Sequence, residues 1–206
     1  HMAAALGGGV ACFFSFCFFS GLLSYGNAMA AQYLGAGEPE KCPKVVTQGF
    51  IMAMMSIPAL VVITYFVSGI FENMGHDSRQ VELERTYYTI LMLGIVVTLA
   101  KICLSSYFAG IARTHVVMIC DVFGLIINVP LSYVMVFGKL GFPALGIVGA
   151  GVSTIVATIL GFLAFVSFYL AKEHREKFRV MESFHLDWGI LRRFLRLGFP
   201  SGMELF

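Results

Sequence analysis

The residues of this sequence that are best suited to chemistry lie inside apolar runs. Asp121, Asn128 and Ser132 occur in the run MICDVFGLIINVPLSYVMVF, which spans residues 118–137 and also contains a proline. Carboxylate, amide and hydroxyl groups are costly in hydrocarbon, so they face protein or a water-filled cavity. Groups of these types can bind cations or polar ligands within a membrane.

The spacing of these three residues places them on one face of a helix. Each residue of an α-helix turns about 100°, so positions seven or eleven apart differ by roughly 20°. Asp121, Asn128 and Ser132 therefore form a polar stripe. Because Pro130 has no backbone N–H, the carbonyl of residue 126 lacks its helical partner and adds a further polar group to the stripe. Two interpretations stay open: the stripe lines a transport path, or it only bonds neighbouring helices.

Other polar residues of the apolar runs are weaker candidates for the same cavity. Lys101 lies about fifteen residues into another run. At that depth its ammonium group needs a charged partner or water, unless the long side chain reaches the membrane interface. Asn27 shares a helix face with two serines, for which helix packing is the competing explanation. The sequence contains no HExxH, GxSxG or Cys/His ligand spacing. We therefore predict no metal, no cofactor and no enzymatic activity, and we interpret the five cysteines as buried free thiols.

The elements that must hold these residues are membrane-spanning helices. Of 206 residues, 58% are hydrophobic and 13% are charged, whereas soluble domains carry about 25% charged residues. Five nearly uncharged runs exceed the roughly 20 residues that span a hydrocarbon core, and they lack the alternation of barrel strands. We predict an all-α integral membrane fold, with a kink at Pro58. The predicted helices are 6–33, 45–71, 86–112, 115–137 and 147–171.

Composition divides the rest of the chain. Residues 1–2 look like an expression scar, and 3–171 hold the five helices. An acidic, solvated loop is predicted at 72–85. Residues 172–196 form a basic cytoplasmic linker, in which WGILRRFLRL predicts an amphipathic helix at the membrane surface with Trp188, Leu191 and Leu195 on its apolar face. We predict that residues 197–206 begin a sixth apolar helix, of which the sequence holds only the start.

Four segments of the sequence match, in order, motifs of one known family. They are AQYLGAG, YFAGIART, NVPLSYVMVFGKLGFPALGIVGAGVST and RLGFPSG. They resemble the end of the second helix, the turn after the fourth, the connection between the fifth and sixth, and the start of the seventh in MATE (multidrug and toxic compound extrusion) transporters. The five predicted helices would then be helices 2–6 of a twelve-helix transporter with two lobes. Residues 3–171 would be an incomplete N-terminal lobe, and residues 197–206 the start of the C-terminal lobe.

The resemblance implies a secondary multidrug and cation efflux antiporter of the inner (plasma) membrane, coupled to Na⁺ or H⁺. Its partners would be the lipid bilayer, small cationic or amphipathic substrates and the remainder of the transporter, with no nucleic acid. Asn128 matches an asparagine of the family's N-lobe cavity. One branch places an aspartate where this chain has Ser132, which favours the NorM-like branch instead. Glu204 lies near an acidic position of the seventh helix.

Three other functions stay open at the level of the sequence. A flippase for lipid-linked oligosaccharides belongs to the same superfamily, and a more basic cavity would favour it. A membrane-embedded enzyme would need a convergent nucleophile and base or a metal cluster. A membrane scaffold without transport activity would need neither a cavity nor a coupling carboxylate.

The uneven distribution of basic residues predicts the orientation of the chain. Ten lie in the segments after the first, third and fifth helices, and Arg79, Arg85 and Lys139 lie in the others. Because segments rich in Lys and Arg stay in the cytoplasm, the first helix should start outside. A membrane-impermeant thiol reagent applied to intact cells should modify Arg79→Cys and spare Arg113→Cys. The unsubstituted chain gives the background, and labelling of position 113 alone would reverse the topology.

Overall fold

The computed structural model describes residues 2–70, 78–139, 141 and 143–205, and this part of the chain is helical without strands. Short 3₁₀ turns occur at Pro39–Lys41 and Val180–Glu182. The α-helices are α1 Met2–Ser24, α2 Gly26–Gly35, α3 Cys42–Met55, α4 Ile57–Ile70, α5 Ser78–Leu93, α6 Ile95–Gly110, α7 Thr114–Phe137, α8 Ile147–Leu170, α9 Lys172–Phe178 and α10 Trp188–Leu205.

These helices build the predicted membrane spans. In the described residues, four stretches are long and apolar enough to cross a bilayer: α1 with α2, α3 with α4, α7, and α8. The bent pair of α5 and α6 makes a fifth. The prediction of five spans is confirmed, and the bounds of α7 and α8 differ from the predicted ones by one residue.

Three of the spans are interrupted at a single residue. The interruptions lie at Tyr25, at Ser56 and at Gly94, where the axes of α5 and α6 differ by 49°. Pro58 has no backbone N–H to donate to the preceding turn, so the helix breaks at Ser56, which is the predicted kink. At Gly94 a Cβ would lie 2.8 Å from Cγ1 of Ile155, so the bend brings the chain close to α8.

The segment predicted as a solvated loop is helical from Ser78 onward, and the prediction is wrong for that part. Val81, Glu84 and Tyr88 have helical spacing, and the last two are almost wholly buried. Oε1 of Glu84 accepts a hydrogen bond from Nε2 of Gln80 at 2.8 Å, which offsets part of the cost of burial. The remainder of the predicted loop, residues 71–77, lies outside the described residues.

α6 is the central helix of the described bundle. Leu99, Leu104 and Phe108 are fully buried on it. One apolar cluster joins α6 to α1, α3, α5 and α10, and a second joins it to α2, α3, α7, α8 and α9. All five cysteines are buried free thiols, as the sequence predicted.

α7 and α8 form a tight helical hairpin. The segment NVPLSYVMVFGKLGFPALGIVGAGVST runs from the second half of α7 into the first turns of α8. Gly138 ends α7 at φ 65° and Gly146 precedes α8 at φ 56°, conformations that side chains disfavour. The Leu145 N–H donates to the carbonyl of Met135 at 3.0 Å, which satisfies an end group of α7. A Cβ at Gly149 would lie 2.6 Å from that same carbonyl oxygen, so a glycine is required for α8 to approach α7.

The basic linker is docked on the bundle through polar contacts. His174 of α9 is almost wholly buried, with its Nε2 3.0 Å from the hydroxyl of Tyr107 and its Nδ1 3.4 Å from Nη1 of Arg113. Further along, the Gln48 side-chain amide donates to the carbonyl of His185 at 2.9 Å. The aromatic rings around His174 are those of Tyr107, Phe108, Tyr169 and Phe178.

α10 crosses residue 196, where the linker was predicted to end, without interruption. Ile190, Leu191 and Phe194 are buried on the face that packs against the bundle. Helical geometry places Trp188 and Leu195 within about 60° of Leu191. Leu191 is buried, whereas Trp188 and Leu195 are exposed, so an apolar face directed at the membrane surface stays a prediction.

Docking of the linker should depend on pH through His174. Burial, together with the positive charges of Arg113 and Lys177, lowers the pKa of His174 from 6.5 to about 4. Between these values the folded chain binds fewer protons than the unfolded chain. Stability that is present above pH 6.5 is therefore lost as the pH falls toward 4, by up to about 3 kcal/mol. The apparent melting temperature in detergent should fall over this range.

His174→Phe should flatten this pH profile, because phenylalanine has no proton to bind. His115→Phe, at an exposed position of α7, is the matched control and should leave the profile unchanged. Equal profiles for the unsubstituted chain and His174→Phe would show that other groups carry the pH dependence.

Candidate functional site

An ion pair joins α6 to α7 inside the apolar part of the bundle. Nζ of Lys101 lies 2.8 Å from Oδ1 of Asp121. Asp121 is about 10 Å along the helix axis from Thr114, where α7 begins, and Lys101 is about 14 Å from Gly110, where α6 ends. Both charges are therefore well inside their spans, and each is the other's counter-ion.

The two partners of this pair differ in exposure. The side chain of Asp121 is 49% exposed, whereas that of Lys101 is 25% exposed. The Lys101 stem passes α8 at Gly161, where a Cβ would lie 3.6 Å from Cε of the lysine. The ammonium group is thus held beside two helices, while the carboxylate stays accessible from the open side of α7.

The other residues of the polar stripe have different surroundings. Oγ of Ser132 lies 2.6 Å from Oγ of Ser153 on α8, and the buried Ser153 hydroxyl is also 2.9 Å from the carbonyl of Ala150. This is an interhelical bond of the kind that membrane helices use for association. Asn128 is half-buried, and no hydrogen bond joins its side chain to the described part of the chain.

Asn27 and Glu204 lie on other helices, α2 and α10, and both are exposed. The carbonyl of Asn27 packs directly against Gly110 of α6, so its backbone takes part in a close helix contact. In the described residues, neither side chain forms a hydrogen bond or an ion pair with the polar stripe.

Two features of the structure, one in the site and one outside it, were not predicted from the sequence. The pairing of Lys101 with Asp121 depends on how α6 lies against α7, for which the sequence carries no local signal. The buried Glu84 was assigned to a loop, although its helical spacing with Val81 and Tyr88 was a signal that could have identified it.

The arrangement is suited to electrostatic binding. A half-exposed carboxylate can bind a cation, but any cation that binds Asp121 must compete with the Lys101 ammonium at 2.8 Å. Asn128 adds a neutral amide on the same helix face, about 10 Å along the axis from Asp121. In the part of the chain that the structure describes, no group of three or more His, Cys, Asp or Glu side chains could hold a metal ion.

Residues 1–134 match the sequence profile of the MatE family. The chain belongs to the MatE family. MatE relatives include the multidrug resistance protein NorM of Vibrio vulnificus, 31% identical over 194 residues, and that of Vibrio cholerae, 30% identical over 193 residues. Each alignment covers 93% of this chain and 42% of the relative. The chain therefore spans less than half the length of the curated relatives it matches.

Solved MATE structures have the same fold as this MatE chain. An inward-facing multidrug resistance MATE family transporter aligns with a TM-score of 0.83 and 20% identity, over 98% of this chain and 46% of that one. The eukaryotic MATE transporter AtDTX14 aligns with a TM-score of 0.82 and 20% identity, and the alignment covers 98% of this chain and 44% of AtDTX14. These similarities confirm the fold class that the sequence motifs predicted.

Removing one partner of the ion pair should destabilise the MatE chain more than removing both. Lys101→Met leaves the Asp121 carboxylate uncompensated within a span, which costs up to about 3 kcal/mol. Lys101→Met with Asp121→Leu removes both charges and should regain most of that loss. The free energy of unfolding in detergent is measured for the unsubstituted chain, both single variants and the double variant.

Lys139→Met, at an exposed position after α7, is the control for loss of a positive charge and should change stability little. If the double variant loses the sum of the two single losses, the charges are not energetically coupled and the ion pair contributes nothing.

Proposed function

We propose that this chain is part of a secondary active transporter that exports small cationic or amphipathic compounds in exchange for Na⁺ or H⁺. It would act as a multi-pass protein of the inner (plasma) membrane. The names of its relatives support this assignment, because the Vibrio proteins at 30–31% identity are called multidrug resistance proteins. The observation that carries the proposal is the half-exposed Asp121 carboxylate inside a span.

A carboxylate at this depth is costly to maintain, and ionisable residues within spans are commonly part of substrate or ion pathways. The charge of Asp121 is balanced by Lys101 in this structure. A proton, a sodium ion or a cationic substrate could each replace that counter-ion. The site would then have two states, Asp121 paired with Lys101 and Asp121 paired with its ligand, and ligand binding would shift the population between them.

The remaining stripe residues take different roles in this proposal. Asn128 has an amide that is free of bonds to the described residues. It is therefore available as a polar ligand on the same helix face, about 10 Å along the axis from Asp121. Ser132 is bonded to Ser153, and we assign it to helix association. Asn27 and Glu204 are proposed as further cavity residues, contributed by α2 and α10.

The oligosaccharide flippase receives less support from the site. A carrier of lipid-linked sugar phosphates needs excess positive charge in its cavity, but Asp121 neutralises the one lysine of this site. Among the described residues, the Asp121 side chain pairs with Lys101 and the Ser132 hydroxyl bonds to Ser153.

The proposal predicts unequal effects of two substitutions made in the natural gene. Asp121→Asn removes the charge that attracts cations and should lower drug efflux about tenfold, the equivalent of about 1.4 kcal/mol. Asn128→Ala removes one neutral ligand and should have a smaller effect. Efflux and ion coupling are measured at equal membrane abundance of the variants.

Ser132→Ala is the matched control on the same helix, and it should reduce stability while leaving efflux per molecule near that of the unsubstituted protein. Normal efflux and ion coupling in both Asp121→Asn and Asn128→Ala would contradict the proposal, since the stripe would then only pack helices.

A further inference from the structure

Three arginines on α10 surround an open cavity that the proposed transport site does not include. Arg192, Arg193 and Arg196 line a space of about 550 Å³ together with Gly189 and Leu197. All three side chains are exposed. The ion pairs found in the described part of the chain involve other residues. The cavity therefore has three positive charges without carboxylate partners in that part.

One of these guanidinium groups is held in place by α2. Nη2 of Arg193 donates to Oε1 of Gln32 at 2.6 Å, and its guanidinium lies 5.8 Å from the centre of the Tyr33 ring. The nearby Asp187 is engaged elsewhere, since its Oδ1 accepts the N–H groups of Gly189 and Ile190 at the start of α10. A positive group that is already ordered loses less entropy when it binds an anion.

The same exposed face of α10 becomes apolar beyond the arginines. Phe199 is 53% exposed and Met203 is 54% exposed. Helical geometry places both within about 80° of Arg192 and Arg196 around the axis. The face thus changes from cationic to apolar over about two turns, with the cationic part nearer the start of the helix.

The apolar part of this face lies beside a membrane span. α10 packs along α1 through Gly198 and Gly202. A Cβ at Gly198 would lie 2.8 Å from the carbonyl oxygen of Leu22, and a Cβ at Gly202 would lie 2.7 Å from the carbonyl oxygen of Phe18. α1 belongs to a span of 31 residues. The exposed side chains of this half of α10 are therefore at the depth of lipid chains.

We propose that this surface binds an anionic phospholipid, with the headgroup phosphate among Arg192, Arg193 and Arg196 and an acyl chain along Phe199 and Met203. Guanidinium groups match phosphate oxygens in charge and geometry, and basic clusters next to a span attract anionic lipids. Free phosphate would use the arginines alone and leave the adjoining apolar face unexplained. The proposal needs only a membrane location, so it does not depend on transport activity.

Trp188 makes this site measurable, because it is the one tryptophan of the sequence and is 72% exposed. It lies one turn, about 6 Å along the axis, before Arg192. The chain is reconstituted in vesicles that contain phosphatidylglycerol or phosphatidylcholine with a nitroxide quencher on the headgroup, which lies on the Trp188 side of the bound lipid. Quenching of Trp188 fluorescence gives the relative affinity of the two lipids. We expect stronger quenching by the anionic lipid at equal mole fraction.

Arg192→Gln with Arg196→Gln should reduce the preference for phosphatidylglycerol about fivefold for each arginine removed. Lys172→Gln with Arg175→Gln removes the same charge from exposed positions of α9 and should leave the preference unchanged. The melting temperature in phosphatidylcholine vesicles shows whether each variant is folded; if the double glutamine variant does not fold, Arg192→Gln alone replaces it.

Three outcomes would overturn the proposal. The unsubstituted chain would show equal quenching by both lipids if no anionic lipid binds there. Equal losses in the α10 and α9 variants would show a diffuse attraction to the charged surface and no site. Loss of the preference on addition of inorganic phosphate, at constant ionic strength, would show that the cavity binds free phosphate.

Discussion

The described bundle depends on glycines that let facing helices meet at their backbones. Side chains at Gly149 and Gly202 would place a Cβ 2.6 and 2.7 Å from carbonyl oxygens of α7 and α1. Lipid chains are as apolar as leucine, so helices in a bilayer associate through close van der Waals contact more than through the hydrophobic effect. These contacts hold α8 against α7 and α10 against α1. They consequently position both the polar stripe and the arginine cavity.

The ion pair in the centre of the molecule follows from the same apolar surroundings. Neither Lys101 nor Asp121 can be left alone within a span without a large cost in free energy. Their pairing at 2.8 Å gives each a counter-ion and leaves half of the carboxylate accessible. In a transporter, this arrangement would make release of Lys101 and binding of a cation two parts of one exchange. The charge inside the span would then stay balanced in both states.

Polar contacts, by comparison, tie the linker to the end of the bundle. Gln48 binds the His185 carbonyl, Gln32 binds Arg193, and Glu40 pairs with Arg179 at 3.0 Å. Such contacts are available here because this end carries the basic residues, whereas the spans carry few polar groups. The linker therefore has a defined path from α8 to α10. That path brings the arginines of α10 next to the end of α2.

Several properties of this chain were determined by its sequence alone, since they are local. A run of about twenty apolar residues predicts a span from its length and composition alone. The helical period likewise places Asp121, Asn128 and Ser132 on one face. The predicted helix 115–137 differs from α7 by one residue for this reason. Only the tertiary structure decided that Asp121 pairs with Lys101, that Ser132 bonds to α8, and which face of α10 is buried. Each of these depends on the register between helices that are distant in sequence, and close packing sets that register.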